Sequence, residues 1–533
     1  INRGDIGEDD PDGTRRDMGR HIYEHTYFGP QWYISEDGDE FLGDGSVGNP
    51  LSSVLAGINM SNEGDEVILS EGTYTGVGNY DIYFLGKSVY VYSSGSRENT
   101  IINAQDISRV MLFESHGTYS PSSDGTIIEG ITIENGYLDD RYAKGAGIYV
   151  NNASPVFRDL VVRSNKAYYN GCNDANILGA GIYLNNSQST FTNCIVTDND
   201  IEARGTCHWP DTYARGGGLY IDGNSSVTIN GSVFNNNRTF ARDGDGNNDS
   251  FARSWGGGLY LANGNNTIID TEIYDNTVSS EGDDREHSAG GVFANGGTQT
   301  FINVTIANNN SQGIRRENGT VNVVSSIIWS NESIDYGSIN YTYTNRQGSI
   351  PDGEGNITKD PWFVSEGDRD YNLKPGSVCI NRGDIGEVDP DGTRRDMGRH
   401  IYEHTYFGPQ WYVSPNADIS QSNGSEEFPL SSILAAVNIS NDGDEIILSE
   451  GTYTGEGNYD IFFLGKGVTI RSAGLAENTI IDAGDEGRVM IFESHGTYSD
   501  ESSDISIEGI TIENGYLDDR YAKGAGIYVN NAS

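Results

Sequence analysis

The chain has 533 residues, with 33 Lys or Arg against 78 Asp or Glu, so its formal net charge at pH 7 is −45. An acidic surface of this kind repels nucleic acid and anionic lipid, and it attracts divalent cations and basic partners. The 70 Gly and 13 Pro follow no triplet period, which excludes collagen. There is also no apolar run of about 18 residues that would insert into a membrane.

The sequence repeats itself on a large scale. Residues 1–154 reappear as residues 380–533, so the repeat unit is 379 residues long (380 − 1). Over the first thirty positions only Asp9 and Val388 differ. We interpret the chain as a window of a longer array of large repeats. The predicted segments are a linker over 1–30, a complete unit over 31–379, a second linker over 380–409 and the start of a second unit over 410–533.

The first linker contains a candidate calcium loop. Carboxylates stand at alternate positions before Gly13, and hard oxygens at i and i+2 can converge on one Ca²⁺ when a glycine lets the loop curl. The predicted ligands are Asp10, Asp12 and Asp17, repeated in the second linker as Asp389, Asp391 and Asp396. The alternative is an acidic turn without a metal, and both interpretations stay open.

A short helix is expected next, because Asn49 is a candidate N-cap and Pro50 suits the first helical position. The apolar residues that follow fall on one helical face: Leu51, Val54, Leu55 and Ile58. This pattern predicts an amphipathic helix that covers the open end of the unit. In the second copy Phe428 replaces Asn49, so that N-cap is lost.

A glycine phrase then recurs as GAGIYV, GAGIYL, GGGLYI, GGGLYL and GGVFAN, starting at Gly145, Gly179, Gly216, Gly256 and Gly290. A polar turn follows each phrase, and then a strand whose apolar residues alternate, as at Val227 and Ile229. Coils this short cannot bury their own apolar faces, so they stack about 4.8 Å apart and share one core. The pattern predicts a parallel β-helix, with ladders of Asn side chains at the strand ends.

Three stretches carry a family resemblance. WYISEDGDEFLGDGSVGNPLSSVLAGI with GDEVILSEGTYTG resembles the opening of right-handed parallel β-helix proteins of the pectin-lyase-like fold. The glycine phrases are similar to repeats of polymorphic bacterial outer-membrane proteins, and YNLKPGSVCINRGD with DPDGTRRDMG is similar to the ends of large secreted bacterial and archaeal surface proteins. The resemblance implies an all-β fold: a right-handed parallel β-helix (β-solenoid) with a short N-terminal capping helix, tandemly repeated. The fold hosts lyases, hydrolases, epimerases, adhesins and fibres, so it selects no function.

The catalytic signatures of the pectin-active relatives are not found in the sequence. Hydrolase relatives resemble one another through NTD, DD, GHG and RIK signatures, and only bare Asp pairs occur here: Asp9–Asp10, Asp139–Asp140 and Asp283–Asp284. With 78 acidic residues, such pairs are expected from composition alone. We therefore predict that the chain is not an enzyme.

Long, varied segments precede the glycine phrases, and stacking of the coils would bring them together as a ridge on one side. The candidate ridge residues are Tyr168, Tyr169, His208, Trp209, Tyr213, Arg242, Phe251 and Trp255. Aromatic residues beside arginine suit a sugar platform or a protein interface, whereas packing of one segment on the next would shield them.

Cys172 and Cys207 lie in matching segments one coil apart, which predicts a disulfide. Cys194 and Cys379 are expected to be buried thiols.

The same region holds a second candidate calcium loop, formed by Asp243, Asp245, Asn247 and Asp249. These residues match the first ligand positions of an EF-hand loop. Asn248 stands where the glycine belongs and Ser254 where the closing Glu belongs, so an acidic turn is the alternative. Calcium is the one cofactor predicted, and no organic cofactor is expected.

Candidate glycosylation sequons are abundant, although a sequence rich in Asn, Ser and Thr produces them by chance. They are Asn152, Asn185, Asn224, Asn230, Asn237, Asn248, Asn265, Asn303, Asn309, Asn318, Asn331, Asn340 and Asn356.

The leading hypothesis is an extracellular or cell-surface structural protein, a tandem-repeat β-solenoid that forms a fibre, filament or adhesin shaft. Its expected partners are copies of itself, with no nucleic acid and no membrane insertion. One alternative is a carbohydrate-binding adhesin that uses the ridge to bind surface glycans. The other is a polysaccharide lyase or hydrolase, which would act through paired carboxylates.

Overall fold

A computed structural model describes residues 10, 18, 24–39, 42–84, 86–114, 125–207, 210–244, 250–282, 284–349, 351–463, 465–493, 505–518 and 522–530. The chain divides into two compact units. Unit 1 is Ile1–Val323 with Ile328–Asn340, and unit 2 is Val324–Ile327 with Tyr341–Ser533. No helix in these described ranges is long and apolar enough to cross a membrane.

Unit 1 is a parallel β-helix with three faces, which we name A, B and C in the order that each coil visits them after its glycine phrase. Face A consists of Ile82–Tyr83, Met111–Glu114, Ile148–Asn151, Ile182–Asn185, Leu219–Asp222, Leu259–Leu261 and the first part of Val292–Ile302. Face B consists of Gln31–Ile34, Glu66–Leu69, Tyr90–Ser93, Ile127–Glu129, Val156–Arg158, Thr190–Thr192, Thr228–Asn230, Asn265–Ile269 and the rest of Val292–Ile302. Face C consists of Gly72–Tyr74, Thr100–Asn103, Thr132–Glu134, Val161–Arg163, Ile195–Thr197, Val233–Asn235, Glu272–Tyr274 and Thr305–Ala307.

The coils stack in register, so equivalent apolar residues lie above one another and form the core. On face B, one fully buried column runs through Ile128, Phe157, Phe191, Ile229 and Ile268. This arrangement confirms the predicted parallel β-helix and its shared core.

A ladder of buried Asn side chains follows face C. In each step the Nδ2 group donates to the Oδ1 atom of the next Asn at 2.9–3.1 Å. Its members are Asn165, Asn199, Asn237, Asn276, Asn309 and Asn331. The residue before each member has a positive φ of 52–56°, which turns the chain and points the Asn inward. The ladder that the sequence predicted is therefore present, and it satisfies buried amides that would otherwise be costly.

Five coils extend beyond face C into an outgoing sheet, and four of them also have a strand in a return sheet; we call these two sheets the fin. The outgoing sheet is Tyr137–Asp139, Lys166–Gly171, Asp200–Gly205, Arg238–Arg242 and Thr277–Glu281. The return sheet is Ala175–Leu178, Thr212–Arg215, Phe251–Trp255 and Asp284–Ser288. Strands Ile314–Val324, Ile327–Trp329 and Asn340–Thr342 include residues of both units.

Unit 2 holds the closing strands Asn345–Arg346, Phe363–Ser365 and Asp370–Leu373, and it holds the start of the second repeat. The strands of the second repeat are Gln410–Val413, Glu445–Leu448, Gly451–Tyr453, Ile461–Phe462, Thr469–Ser472, Thr479–Asp482, Met490–Glu493, Ser506–Glu508, Thr511–Glu513 and Ile527–Asn530. Their parallel pairing repeats that of the first copy, and a 3₁₀ helix lies at Ala476–Asn478.

Each copy has one short helix, α1 (Val54–Met60) and α2 (Ile433–Ile439). Asn49 was the wrong N-cap, because its peptide belongs to a turn with Ser46. The N-cap is Ser53, whose Oγ accepts from the N–H of Ala56, and Ser432 takes the same role in α2. The second copy therefore loses no cap when Phe428 replaces Asn49.

Candidate functional site

The predicted ridge is the fin, and it is built of regular strands rather than irregular loops. Its two sheets face each other across a core made mainly of alanine, including Ala167, Ala203, Ala214 and Ala241. Small side chains let two sheets approach closely over a narrow interior. The fin is therefore a packed extension of the β-helix.

In one register column of the outgoing sheet the charged side chains alternate in sign from coil to coil, whereas in another column Arg204 and Arg242 are neighbours. Asp200 lies between Lys166 at 3.6 Å and Arg238 at 2.7 Å. On the return sheet, Arg253 pairs with Asp284 at 3.0 Å. In-register stacking places equivalent residues side by side, so a column of like charges would repel and an alternating column attracts.

Most described ridge aromatics are covered by a neighbouring cation. The Cζ atom of Arg215 lies 4.6 Å from the ring of Tyr213 and 5.0 Å from that of Trp255. Phe251 is covered in the same way by Arg253 at 4.8 Å. Contacts of this kind shield one ring face from solvent. They match the packing interpretation of the ridge more closely than an open platform.

The remaining described ridge residues also have partners within the fin. Tyr168 lies 5.3 Å from the Nζ of Lys166, and the hydroxyl of Tyr169 accepts from the N–H of Asn173 at 3.1 Å. Arg242 reaches Glu281 at 4.0 Å. His208 and Trp209 lie outside the described residues.

An aromatic column that the sequence analysis did not identify fills the corner between face A and the fin. Its rings lie between 4.9 and 5.6 Å apart and are nearly parallel. They are Tyr149, Tyr183, Tyr220, Tyr260 and Phe293. Burial raises the pKa of Tyr183 and Tyr220. The signal was present in the aromatic residue that follows the aliphatic one in each glycine phrase.

Cys172 and Cys207 form the predicted disulfide, with their Cα atoms 4.8 Å apart, directly after two outgoing fin strands. Cys194 and Cys379 are buried, also as predicted. Burial raises the pKa of both thiols to about 12, so they remain protonated and unreactive at neutral pH.

The candidate calcium carboxylates are used in other ways where they are described. Asp389 pairs with Arg395 at 2.9 Å, and Asp391 accepts from the hydroxyl of Thr393. The two oxygens of Asp396 accept from the N–H groups of Asn381 and Tyr402.

Burial raises the pKa of Asp396 to about 8. Across the described ranges, no group of three His, Cys, Asp or Glu side chains is placed to hold a metal ion. Asp10 and Asp243 are buried. Asp12, Asp17, Asp245, Asn247 and Asp249 lie outside the described residues. Calcium stays a prediction.

The candidate glycosylation sites differ in how far their asparagine side chains are buried. Asn237, Asn309 and Asn331 were wrong as glycosylation candidates, because their amides belong to the buried ladder and a glycan would break it. Asn303 is buried as well, and Asn248 lies outside the described residues. Asn185 and Asn356 are half-buried. The exposed candidates are Asn152, Asn224, Asn230, Asn265, Asn318 and Asn340.

The junction between the two repeats lies within unit 2 and is packed. All seven residues of α2 are buried, whereas α1 buries only Val54, Gly57, Ile58 and Met60. The difference arises because residues 376–382 cover the outward side of α2. They belong to residues 353–382, which we call the closing segment. Asn438 donates to the carbonyl of Val378 at 3.3 Å, and Arg382 donates to Asn438 at 3.5 Å.

A lysine fixes the C-terminal end of the capping helix in both copies. Lys466 donates to the carbonyls of Val437, Asn438 and Ser440, and Lys87 makes the equivalent three bonds in the first copy. These carbonyls have no partner inside the helix, so the ammonium group acts as a C-cap. Burial, with Arg394 and Arg382 nearby, lowers the pKa of Lys466 to about 7.

The second linker packs against the closing segment instead of forming a free spacer. Met397 donates to the carbonyl of Cys379 at 3.0 Å, and Gly398 donates to that of Ser325 at 2.8 Å. Arg394 covers the ring of Tyr343 at 5.5 Å. A cavity of about 350 Å³ remains at the junction, lined in part by Lys359, Val378, Arg382, Phe462 and Arg488.

The fold of unit 1 is a parallel β-helix. Residues 56–248 match the family model described as a right-handed β-helix region. No curated protein sequence matches the chain.

Several solved structures are similar. Pectate lyase Pel9A is 16% identical, covers 70% of this chain and 96% of its own, and has a TM-score of 0.33. A pectin methylesterase from carrot is 12% identical, with 66% and 94% covered and a TM-score of 0.30. Pectin methylesterase PemA from Erwinia chrysanthemi is 11% identical, with 64% and 98% covered and a TM-score of 0.29. The activities in these names belong to those proteins.

Proposed function

We propose that this chain is an extracellular structural protein whose β-helix repeats join through packed junctions into a surface fibre, filament or adhesin shaft. The observation that carries the proposal is the complete burial of α2. A repeat that was merely tethered by a flexible linker would leave its capping helix half-exposed, as α1 is. Burial of the helix instead makes each junction part of a folded core. Junctions of this kind suit a protein in which each repeat fixes the position of the next one along an array.

Two further features support a structural role outside the cell. The Cys172–Cys207 disulfide suits an oxidising compartment. In the fin, ion pairs of Asp200 link neighbouring coils, and arginine side chains cover aromatic rings, so these side chains stabilise the stacking of the coils. The strongly acidic surface favours solubility over non-specific association.

The test is electron microscopy of purified chains that carry one, two and three complete repeats. The proposal predicts rods that lengthen by a constant increment on the order of 50 Å per repeat, since each repeat has roughly ten coils at about 4.8 Å. The matched control replaces linker 380–409 by a Gly/Ser segment of equal length, which should give a wide range of angles between consecutive repeats. Beads at variable separations in the native sequence would contradict the proposal, as would depolymerisation of polygalacturonate by the purified chain.

A further inference from the structure

The cavity at the junction has more positive than negative charge in its lining. Its volume is about 350 Å³. The cationic side chains that line it are those of Lys359, Arg382 and Arg488, and among the described residues the carboxylate of Asp460 is the one acidic group in the lining. The whole chain, by contrast, has a formal net charge of −45. An excess of cations around one cavity of so acidic a protein favours an anionic ligand.

Arg382 is the most deeply buried of these cations. It is only 5% exposed, and its Nη1 atom donates to the Oδ1 of Asn438 at 3.5 Å. Its Cζ atom lies 5.8 Å from the ring of Phe462, which lines the same cavity. A charge buried to this extent is screened less by water and salt than an exposed one, so it attracts an anion in the cavity more strongly.

The rest of the lining is largely apolar. Small-molecule sites have volumes of about 300–1,000 Å³ and consist mostly of apolar side chains with a few polar groups that fix the orientation of the ligand. The junction cavity has both properties. Its apolar lining residues are Ile357, Val378, Leu434, Phe462 and Ile491.

The cavity lies wholly within unit 2. Its lining comes from two parts of the chain, 353–382 in the closing segment and 434–491 in the second repeat. Strand Met490–Glu493, which contributes Ile491, is the central strand of a three-stranded sheet and pairs with Ile527–Asn530 on one side. This wall is therefore made by a strand that has a partner on both sides.

We propose that the junction cavity binds a small aromatic carboxylate, with the carboxylate at Arg382 and the ring against Phe462. A guanidinium group can donate two parallel hydrogen bonds to a carboxylate, and such charge-assisted bonds are stronger than neutral ones. Aromatic rings pack well against each other in stacked or edge-to-face arrangements. The proposal goes beyond the structural role argued above and does not depend on it, because one junction contains the whole site.

The test is isothermal titration calorimetry of the full chain with 2-naphthoate and 2-naphthamide, which share a ring and differ in charge. We expect one saturable site per chain for 2-naphthoate, with an affinity at least about tenfold higher than that for 2-naphthamide. Arg382→Met removes the charge and keeps an apolar side chain. It should lower the affinity for 2-naphthoate at least about tenfold and change that for 2-naphthamide less than about twofold.

A second variant tests the place of binding without changing a cation. Ile491→Trp fills the cavity, so it should abolish the binding of 2-naphthoate. The matched control is Leu112→Trp, because Leu112 is the equivalent half-buried residue of the first copy and does not line this cavity. That variant should bind 2-naphthoate like the native chain.

Three results would overturn the proposal. They are the absence of saturable 2-naphthoate binding, equal affinities of the native chain for the two probes, and unchanged 2-naphthoate binding by Ile491→Trp. None of them would alter the length of rods in the microscopy of repeats, so the proposed function is tested separately.

Discussion

Asn199 donates from Nδ2 to the Oδ1 of Asn237 at 2.9 Å, and its backbone N–H donates to the same oxygen at 3.2 Å. Asn237 in turn donates to the carbonyl of Val196 at 2.9 Å. A single side chain thus satisfies groups on neighbouring coils, and each coil fixes the register of the next. The β-helix is held in register by these bonds as well as by its apolar columns.

Asn237→Ala should therefore lower the free energy of unfolding by about 3 kcal/mol, because it leaves the buried backbone N–H of Asn199 without its acceptor and removes a donor from the carbonyl of Val196. Chemical denaturation measures the loss. The control is Asn230→Ala, since Asn230 is exposed on the same coil, and its effect should stay within about 0.5 kcal/mol. Equal losses in the two variants would show that the ladder adds nothing to stability.

The fin should depend on its alternating charges. Asp200→Lys would place a third cation beside Lys166 and Arg238, so we expect a loss of about 1–2 kcal/mol that added salt partly reverses. Asp200→Asn keeps the shape without the charge and should cost less and respond less to salt. Denaturation at low and high ionic strength measures both variants. A salt-independent loss in Asp200→Lys would point to packing instead of charge.

Loss of Lys466 should lower the free energy of unfolding more than loss of Lys87, its equivalent in the first copy. Lys466→Met removes the donors of three carbonyls at a buried helix end, and we expect a loss of about 3 kcal/mol. Lys87→Met removes the same bonds at a half-buried position, where water can replace them, and should cost about half as much. Unfolding of the two single variants measures the difference. Equal costs would mean that the junction does not bury this helix end.

The junction should weaken in mild acid because of His404. Burial lowers the pKa of His404, opposed by the nearby Asp391, while its Nε2 lies 3.3 Å from the Oδ1 of Asn381. A depressed pKa means that the folded state resists protonation. The stability this group provides is therefore present above its unfolded pKa of about 6.5 and is lost as pH falls through the lower folded value.

Hydrogen exchange of α2, followed from pH 7 to pH 5 and corrected for the intrinsic rate, measures this loss. His404→Gln keeps a donor toward Asn381 without a titrating ring, so its α2 protection should change less over the same range. A native chain whose junction is equally protected at both pH values would contradict the assignment to His404.

The fold was predictable because apolar residues at alternate positions, such as Val227 and Ile229, indicate a strand that turns one face toward the core. The disulfide was predictable because stacking places matching segments one coil apart. The fin was not recognised as strands, since its inward residues are alanines such as Ala167 and Ala203, which give almost no hydrophobic period. The helix start was wrong because Asn49 and Ser53 are both plausible caps, and only the turn with Ser46 decides between them.

The burial of the junction could not be predicted for a different reason. The outward positions of α1 and α2 have the same residues, so nothing on that side of either helix distinguishes a covered surface from an open one. The distinction comes from the closing segment, whose contacts with Asn438 and Ala435 join residues about sixty positions apart in sequence. Long-range pairing of this kind leaves no local pattern.

The most direct test of the packed junction compares α1 and α2 by amide hydrogen exchange within one chain. The two helices have the same length and the same residues at their outward positions, so each serves as a control for the other. We expect the amides of Leu434–Ile439 to exchange at least about tenfold more slowly than those of Leu55–Met60. Equal protection of the two helices would mean that the repeats are joined by a flexible linker, and it would contradict a packed junction.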